Sequence, residues 1–343
     1  MTDKTDKDEA SRIAKVSQDI WNIVPNTEDF DRLNYVLRPY VMRMPVANHR
    51  SKSLNTDAHG FRRLVTEDGV VEFDQFRQAP GPKGVLCGDS TIFGYGLADD
   101  ETLHAQLSRQ ANGSRLWYSL ASPVANIFQN RLLLELFMPA NVNYVTVVIS
   151  TAAPVIYLLS SFDTKPYPVL FGQATDAMFN SGAVGGRTQP RFKLASGAEV
   201  NDPQIAFQNA LDDVRKNIQL IAASLQAMTS ARLLVCFKPN PFWMNKTLVP
   251  QERDVMELFM QKHKSHIALV LDPELRPYWM QYVDSVGGLC RDCGCDFIDF
   301  NQMDALKAPE WLFFDHFHQN AKGIALVAER IGDWAHQTTG MER

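Results

Sequence analysis

Five short runs rich in β-branched and aromatic residues mark the chain from Lys83 onward: GVLC (84–87), RLWYSL (115–120), NYVTVVIS (143–150), ARLLVCF (231–237) and CDFIDF (295–300). Between them lie longer segments with apolar residues at helical spacing, near 100–110, 124–138, 204–228, 251–264 and 274–288, with a last one at 321–336. Strands that alternate with helices of this length build βαβ units, and hence a parallel sheet. Right-handed crossovers place those helices on both faces. The expected architecture is a three-layer αβα sandwich around a central five-stranded parallel sheet.

Ahead of this unit, Ile13, Val16, Ile20, Ile23 and Val24 fall at helical spacing and predict a short amphipathic helix within residues 9–24. Residues 25–80 show no clear period and read as irregular. The chain therefore divides into an N-terminal helix and irregular segment over 1–80, packed on an α/β domain over 81–343. Residues 151–202 also lack clean periodicity and carry Pro154, Pro166, Pro168, Gly182, Gly185 and Gly186, which reads as an insertion after the third strand. Ligands of open α/β sheets bind at the carboxyl ends of the strands. An insertion emerging there would line or cover the site, and Phe242 and Trp243 of KPNPFWMNK (238–246) lie at the same edge, either facing a substrate or, at least as often for such loop aromatics, packed on their own scaffold.

Charge and cysteine content narrow the function classes. Against 34 Lys and Arg stand 39 Asp and Glu among 343 residues, a formal charge of −5 with no basic stripe, so nucleic acid is not an expected partner. The polar start MTDKTDKDEASR and the lack of an 18-residue apolar stretch point to a cytoplasmic protein without a membrane span. Cys290, Cys293 and Cys295 form a C-x2-C-x-C cluster, but the other two cysteines lie in strands and no fourth ligand is evident. The cluster reads as small residues at a helix end, with no structural metal and no cofactor expected. A flavodoxin-like nucleotide binder would share the strand pattern, but no G-x-G-x-x-G opens a helix here.

Chemistry is concentrated at the two ends of the α/β pattern. In KGVLCGDSTIFGYGLADDETLHAQL (83–107) a buried strand runs into Gly88-Asp89-Ser90 and a glycine-rich turn, which puts the Ser90 hydroxyl at the strand's carboxyl end. Serine is a weak nucleophile unless a base takes its proton and a third group orients that base. In WLFFDHFHQNAKGIALVAERIGDWA (311–335), Asp315 and His318 stand three apart on a turn before the last helix, so one can orient the other. His316, between them, is expected to be a bystander.

Together these segments resemble the SGNH (GDSL-type) hydrolase superfamily. GDSTIFGYG is similar to its nucleophile block, DHFHQNAKG to its D-x-x-H block, and NTDAHGFR (55–62) to an N-T-D-x-x-G-F-R stretch of some bacterial members. The resemblance spans roughly residues 50–336. It implies the flavodoxin-like SGNH-hydrolase fold, with Ser90 as nucleophile, His318 as general base and then acid, and Asp315 as its partner. The second block departs from N-x-G-x-x-G and reads SLASPV (119–124), leaving the backbone N–H of Val124 as its oxyanion donor beside that of Ser90. The third block departs from G-x-N-D and reads STAA (150–153), with Ala152 at the asparagine position. Thr151 is the first candidate to replace that donor, with Ser150, Asn126 and Asn130 as others; one lost oxyanion donor typically costs about 10²–10³ in rate.

The activity this implies is hydrolysis of a small-molecule or carbohydrate ester through an acyl-enzyme intermediate. Two alternatives use the same residues differently: an O-acyltransferase that passes the acyl group to a hydroxyl, and a binding protein that has kept the scaffold without turnover. Oligomeric state is not legible in the sequence.

Overall fold

The computed structural model describes residues 2–38, 42–123, 125–159, 201–262 and 264–339. A helix over Thr2–Ile23 and a short one over Asn26–Asp31 lead into two antiparallel hairpins, β1 (Tyr35–Arg38) with β2 (Met42–Pro45) and β3 (Leu64–Thr66) with β4 (Gly69–Val71). A helix at Phe73–Gln78 follows, and then the central sheet begins. Its strands are β5 (Lys83–Cys87), β6 (Leu116–Ser119), β7 (Tyr144–Ile149), β8 (Arg232–Phe237) and β9 (Asp296–Asp299). They are parallel throughout and lie in the order β6-β5-β7-β8-β9. This is a doubly wound sheet with its switch between β5 and β7, where sites form in such folds.

The sheet sorts its side chains by parity. Val85, Cys87, Val145, Val147, Ile149, Leu233, Val235 and Phe237 enter one apolar cluster. Leu86, Tyr144, Val148, Leu234, Cys236 and Ile298 enter another on the opposite face. Helices Ile127–Phe137, Pro203–Met228 and Arg276–Asp292 cover the first face, the long helix through Ala210, Val214, Ile218, Ile221 and Leu225. Ala321–Thr339 covers the second with Ile324, Val327, Ala328 and Ile331, joined by Leu103–Gln110, Pro250–Lys262 and the N-terminal helix through Val16 and Ile20. These stripes are the helical periodicity of the sequence turned inward.

Residues 25–80, which show no period, hold the two hairpins and two short helices. Their strands are three or four residues long and half-exposed, too short to leave a two-residue rhythm. The NTDAHGFR stretch is a tight loop closed by the bridge Thr56↔Arg62, and it acts as a bracket for the turn after β5. Arg62 is wholly buried and donates to Oδ1 of Asp99 at 2.8 Å and to the carbonyls of Ser53, Phe93, Gly94 and Leu97. Asn55 reaches the other oxygen of Asp99 at 2.7 Å, and Asp57 accepts the Tyr118 hydroxyl at 2.8 Å. One guanidinium therefore ties residues 53–62 to 93–99.

After β7, a helix over Ala152–Leu159 leaves the sheet, and Asn201 returns to it, its N–H donating to the Leu158 carbonyl at 3.0 Å. The expectation that the insertion covers the site falls mostly on residues 160–200, outside the described residues. No described helix is long and apolar enough to cross a membrane.

The bracket is testable. Removing one partner of a buried ion pair leaves the other charge uncompensated and typically costs about 3–5 kcal/mol. Arg62→Leu is expected to lose that much in urea unfolding; a stability within about 1 kcal/mol of the parent would show that the loop holds without it.

Candidate active site

The turn after β5 is shaped by what its glycines must clear. A Cβ on Gly88 would come within 2.4 Å of the Ile92 side chain, so only glycine lets the chain pass from strand into the short helix Ser90–Phe93. Asp89 caps that helix, its carboxylate accepting the Thr91 N–H at 2.9 Å. Gly94 ends it with φ +91°, a left-handed conformation that suits glycine. Gly96, also at positive φ, faces the Phe314 ring, which a Cβ would meet at 2.5 Å. The turn that carries Ser90 and the loop preceding the last helix are therefore in direct contact.

That loop is folded by a bridge between Phe313 and Gln319, with Asn320 Oδ1 accepting the Gly323 N–H at the start of the last helix. It presents Asp315 and His318 toward Ser90. The hydroxyl of Ser90 lies 2.8 Å from Nε2 of His318, and Nδ1 of His318 lies 2.6 Å from Oδ2 of Asp315. The other carboxylate oxygen accepts the N–H groups of Phe317 and His318, both at 2.7 Å. Burial by itself would raise the Asp315 pKa; the charge of His318 and these hydrogen bonds outweigh it and hold the group at about 2, below its ordinary 3.8. An ionised carboxylate can only accept, so Nδ1 carries the hydrogen and Nε2 is left to accept from Ser90. Rings of Tyr95, at 4.7 Å, and Phe314, at 6.1 Å and nearly parallel, hold the imidazole in this plane.

Three residues expected at the site thus meet, and the arrangement can pass the Ser90 proton to His318. Other expectations fare differently. His316 is buried and outside this chain of bonds; its ring stacks on Phe242 at 5.2 Å and its Nδ1 meets no partner. Trp243 takes the packed alternative: it is buried against Phe237 and Trp279, with its N–H donated to the Val270 carbonyl at 3.1 Å. Indoles in apolar loops go inward when a carbonyl can take the N–H. Phe242, 37% exposed, is the aromatic that stays outside.

On the oxyanion side, Ser90 opens a helix, where the leading N–H groups have no partner within the helix. Val124 lies outside the described residues. Thr151 is buried just past β7, and its carbonyl accepts the Val155 N–H. Asn126 is committed to the next helix, taking the Gln129 N–H at 3.0 Å, and Ser150 Oγ takes the Ala152 N–H at 3.2 Å.

Two lysines escape sequence reasoning, because lone lysines in a loop read as surface. Lys238, the residue after β8, forms a buried ion pair with Asp89 at 3.0 Å, and its ammonium lies 4.6 Å from the centre of the Phe317 ring. Burial would raise the Asp89 pKa, but the Lys238 charge and the Thr91 N–H bring it below the ordinary carboxylate value. Lys246 pairs with Glu252 at 3.1 Å, both fully buried, and donates to the carbonyls of Ala308 and Glu310. Glu252 in turn accepts the N–H groups of Leu312 and Phe313. One pair underpins the turn that carries Ser90 and the other anchors the segment entering the Asp315 loop. Cys290, Cys293 and Cys295 are free thiols at the helix end before β9, and among the described residues no group of three His, Cys, Asp or Glu is placed to hold a metal ion.

No protein-family profile matches the chain, and no curated protein is significantly similar to it. Among solved structures it is similar to an extracellular lipase from Streptomyces rimosus, at 12% identity over 74% of this chain and 100% of that one, with a TM-score of 0.42. A phospholipase A1 from Streptomyces albidoflavus NA297 gives 14%, 74%, 100% and 0.40. A psychrotrophic esterase from Pseudoalteromonas sp., in a structure inhibited by monoethylphosphonate, gives 12%, 75%, 98% and 0.40.

Two stability measurements check these electrostatics. Lys238→Met strands a buried carboxylate and is expected to cost about 3–5 kcal/mol, and the double variant with Asp89→Asn should recover most of it; additive losses would deny the pairing. Asp315, held at about 2 when folded, contributes stability that is complete above its ordinary 3.8 and vanishes as the pH falls toward 2. The advantage of wild type over Asp315→Asn in urea should therefore shrink by about 2 kcal/mol between pH 5 and pH 2. An advantage independent of pH would contradict the assignment.

Proposed function

We propose that this chain is a serine ester hydrolase of the GDSL (SGNH) type, with Ser90 as nucleophile, His318 as base and Asp315 as the group that orients it. The observation that carries the reading is the unbroken chain of short contacts from Ser90 Oγ through His318 to Asp315. Lipase and esterase names among the structures of similar fold agree with it, and the reading stands on the contacts rather than on them.

In the acylation step Ser90 Oγ attacks the ester carbonyl carbon while its proton passes to His318 Nε2. Asp315 stays ionised and stabilises the imidazolium that forms. Collapse of the tetrahedral intermediate breaks the carbon–oxygen bond to the alcohol, which leaves with the proton from Nε2. Water then attacks the acyl-serine, giving its proton to His318; the acid departs and Ser90 recovers its hydrogen. Positive charge arises only on His318, beside a carboxylate whose low pKa keeps it available across the neutral range. The substrate class proposed is a small-molecule or carbohydrate ester.

Hydrolysis of short p-nitrophenyl esters tests the reading. Ser90→Ala is expected to lower kcat/KM by about 10⁴-fold or more, and His318→Ala by a similar amount, because members of such a unit fail together. His316→Ala should lose far less. Equal losses for the two histidines, or an active Ser90→Ala variant, would overturn the assignment.

A further inference from the structure

We propose that Cys290 and Cys295 form a peroxide-sensitive dithiol, which closes into a reversible disulfide at the carboxyl end of the helix Arg276–Asp292. The inference is independent of the hydrolase reading. It takes up the C-x2-C-x-C cluster, which the proposed reaction leaves unused.

The helix ends in a Schellman turn. The Cys295 N–H donates to the Cys290 carbonyl at 3.0 Å, and the Gly294 N–H to the Arg291 carbonyl at 3.1 Å. Gly294 supplies the left-handed residue at φ +66°. In this motif the residue after the glycine folds back, and its side chain meets the one five positions earlier. Those two residues are Cys295 and Cys290. Cys295 Sγ donates to the Cys290 carbonyl at 3.3 Å, and the two thiols are themselves hydrogen-bonded. A disulfide needs Cα atoms no more than about 7 Å apart and side chains that point toward each other. The 3.0 Å main-chain bond holds the Cα atoms within that limit, and the thiol contact meets the second condition.

The two sulfurs are unequal. Cys290 is fully buried, whereas Cys295 is half-buried. The hydrogen bond from Cys290 holds the Cys295 thiol below its ordinary 9.0, against burial and the Asp296 carboxylate, while that bond and burial push Cys290 well above it. Cys293, at the end of the helix, is pushed up by burial and by the charge of Cys295. A thiol that ionises readily, reaches solvent and touches a second thiol is suited to oxidation and then to resolution by its neighbour.

In the reaction the Cys295 thiolate attacks one oxygen of hydrogen peroxide and the O–O bond breaks. The hydroxide that leaves takes up the proton that Cys295 released, which gives one water and Cys295 sulfenic acid. Cys290 sulfur then attacks the Cys295 sulfur, the S–O bond breaks, and the hydroxyl leaves with the Cys290 proton as a second water. Two thiols are oxidised to one disulfide while one peroxide is reduced to two waters, and a dithiol reductant reverses the bond. The link would staple the helix to β9, the edge strand, on which it lies so closely that a Cβ on Gly287 would meet the Phe297 ring at 3.0 Å. Cys295 precedes the amino end of β9, whereas Ser90 follows the carboxyl end of β5, so in a parallel sheet the two sites lie at opposite edges.

The test exposes the reduced wild-type protein to hydrogen peroxide, alkylates it in denaturant and digests it with trypsin without reduction. Cleavage after Arg291 separates Cys290, in the peptide spanning residues 265–291, from Cys293 and Cys295 in residues 292–307. The expected product is these two peptides joined by a disulfide, still joined in Cys293→Ser and released by dithiothreitol. The oxidised protein should also unfold at a higher urea concentration than the reduced one, because the link constrains the unfolded chain. In Cys290→Ser, Cys295 should stop at the sulfenic acid, which dimedone traps; the wild-type map decides the question even if that variant folds poorly. Full alkylation of all three cysteines after peroxide, a link confined to residues 292–307, or loss of the link in Cys293→Ser would overturn the proposal. So would an oxidised protein no more resistant to urea than the reduced one, since the bond would then hold nothing together.

Discussion

Ser90 and His318 are 228 positions apart in the chain and 2.8 Å apart in space, and most of the unusual features of this molecule serve to hold that contact. A hydrogen bond of this kind is worth little by itself, on the order of 1 kcal/mol net, far less than the entropy of ordering two loops. The fold must therefore supply the order. It does so by bringing the glycine turn after β5 and the Asp315 loop into van der Waals contact, Gly96 against Phe314 and Tyr95 against His318. Neither loop could close on the other if position 96 carried a side chain.

Three buried cations secure the frame around this contact. Arg62 gathers four carbonyls and Asp99 behind the Ser90 turn, Lys238 neutralises Asp89 beneath it, and Lys246 with Glu252 fixes the residues that lead into Asp315. Buried ion pairs are poor sources of stability compared with apolar packing, but they are exacting about geometry, since each lost partner leaves a bare charge. Their placement at the loops rather than in the helical layers fits a role in fixing loop positions. Asp315 is treated the same way, with each of its oxygens engaged by the segment it orients.

The sheet and its helices were legible because burial on both faces makes strands apolar and helix stripes periodic; β6 to β9 fall within four of the runs read from the sequence, and β5 begins one residue ahead of the first. The order β6-β5-β7-β8-β9 was not, since it depends on crossovers that leave no local trace. That Ser90, Asp315 and His318 would meet was legible because the residue types and settings that allow such a chain of contacts are few. Lys238 and Lys246 were not, because a buried lysine looks like any loop lysine until its carboxylate partner is found 149 positions away, as for Asp89. Which way Trp243 would turn was left open for a related reason: only the structure reveals the carbonyl of Val270 that receives its N–H.

The central claim is that the geometry around Ser90 makes its hydroxyl reactive. Fluorophosphonate treatment followed by tryptic mapping tests this without a known substrate. The account predicts a single adduct on Ser90, in the peptide spanning residues 84–109, formed by the wild-type protein and absent from both Ser90→Ala and His318→Ala. An adduct on another serine, or equally fast labelling of Ser90 when His318 is replaced, would contradict it.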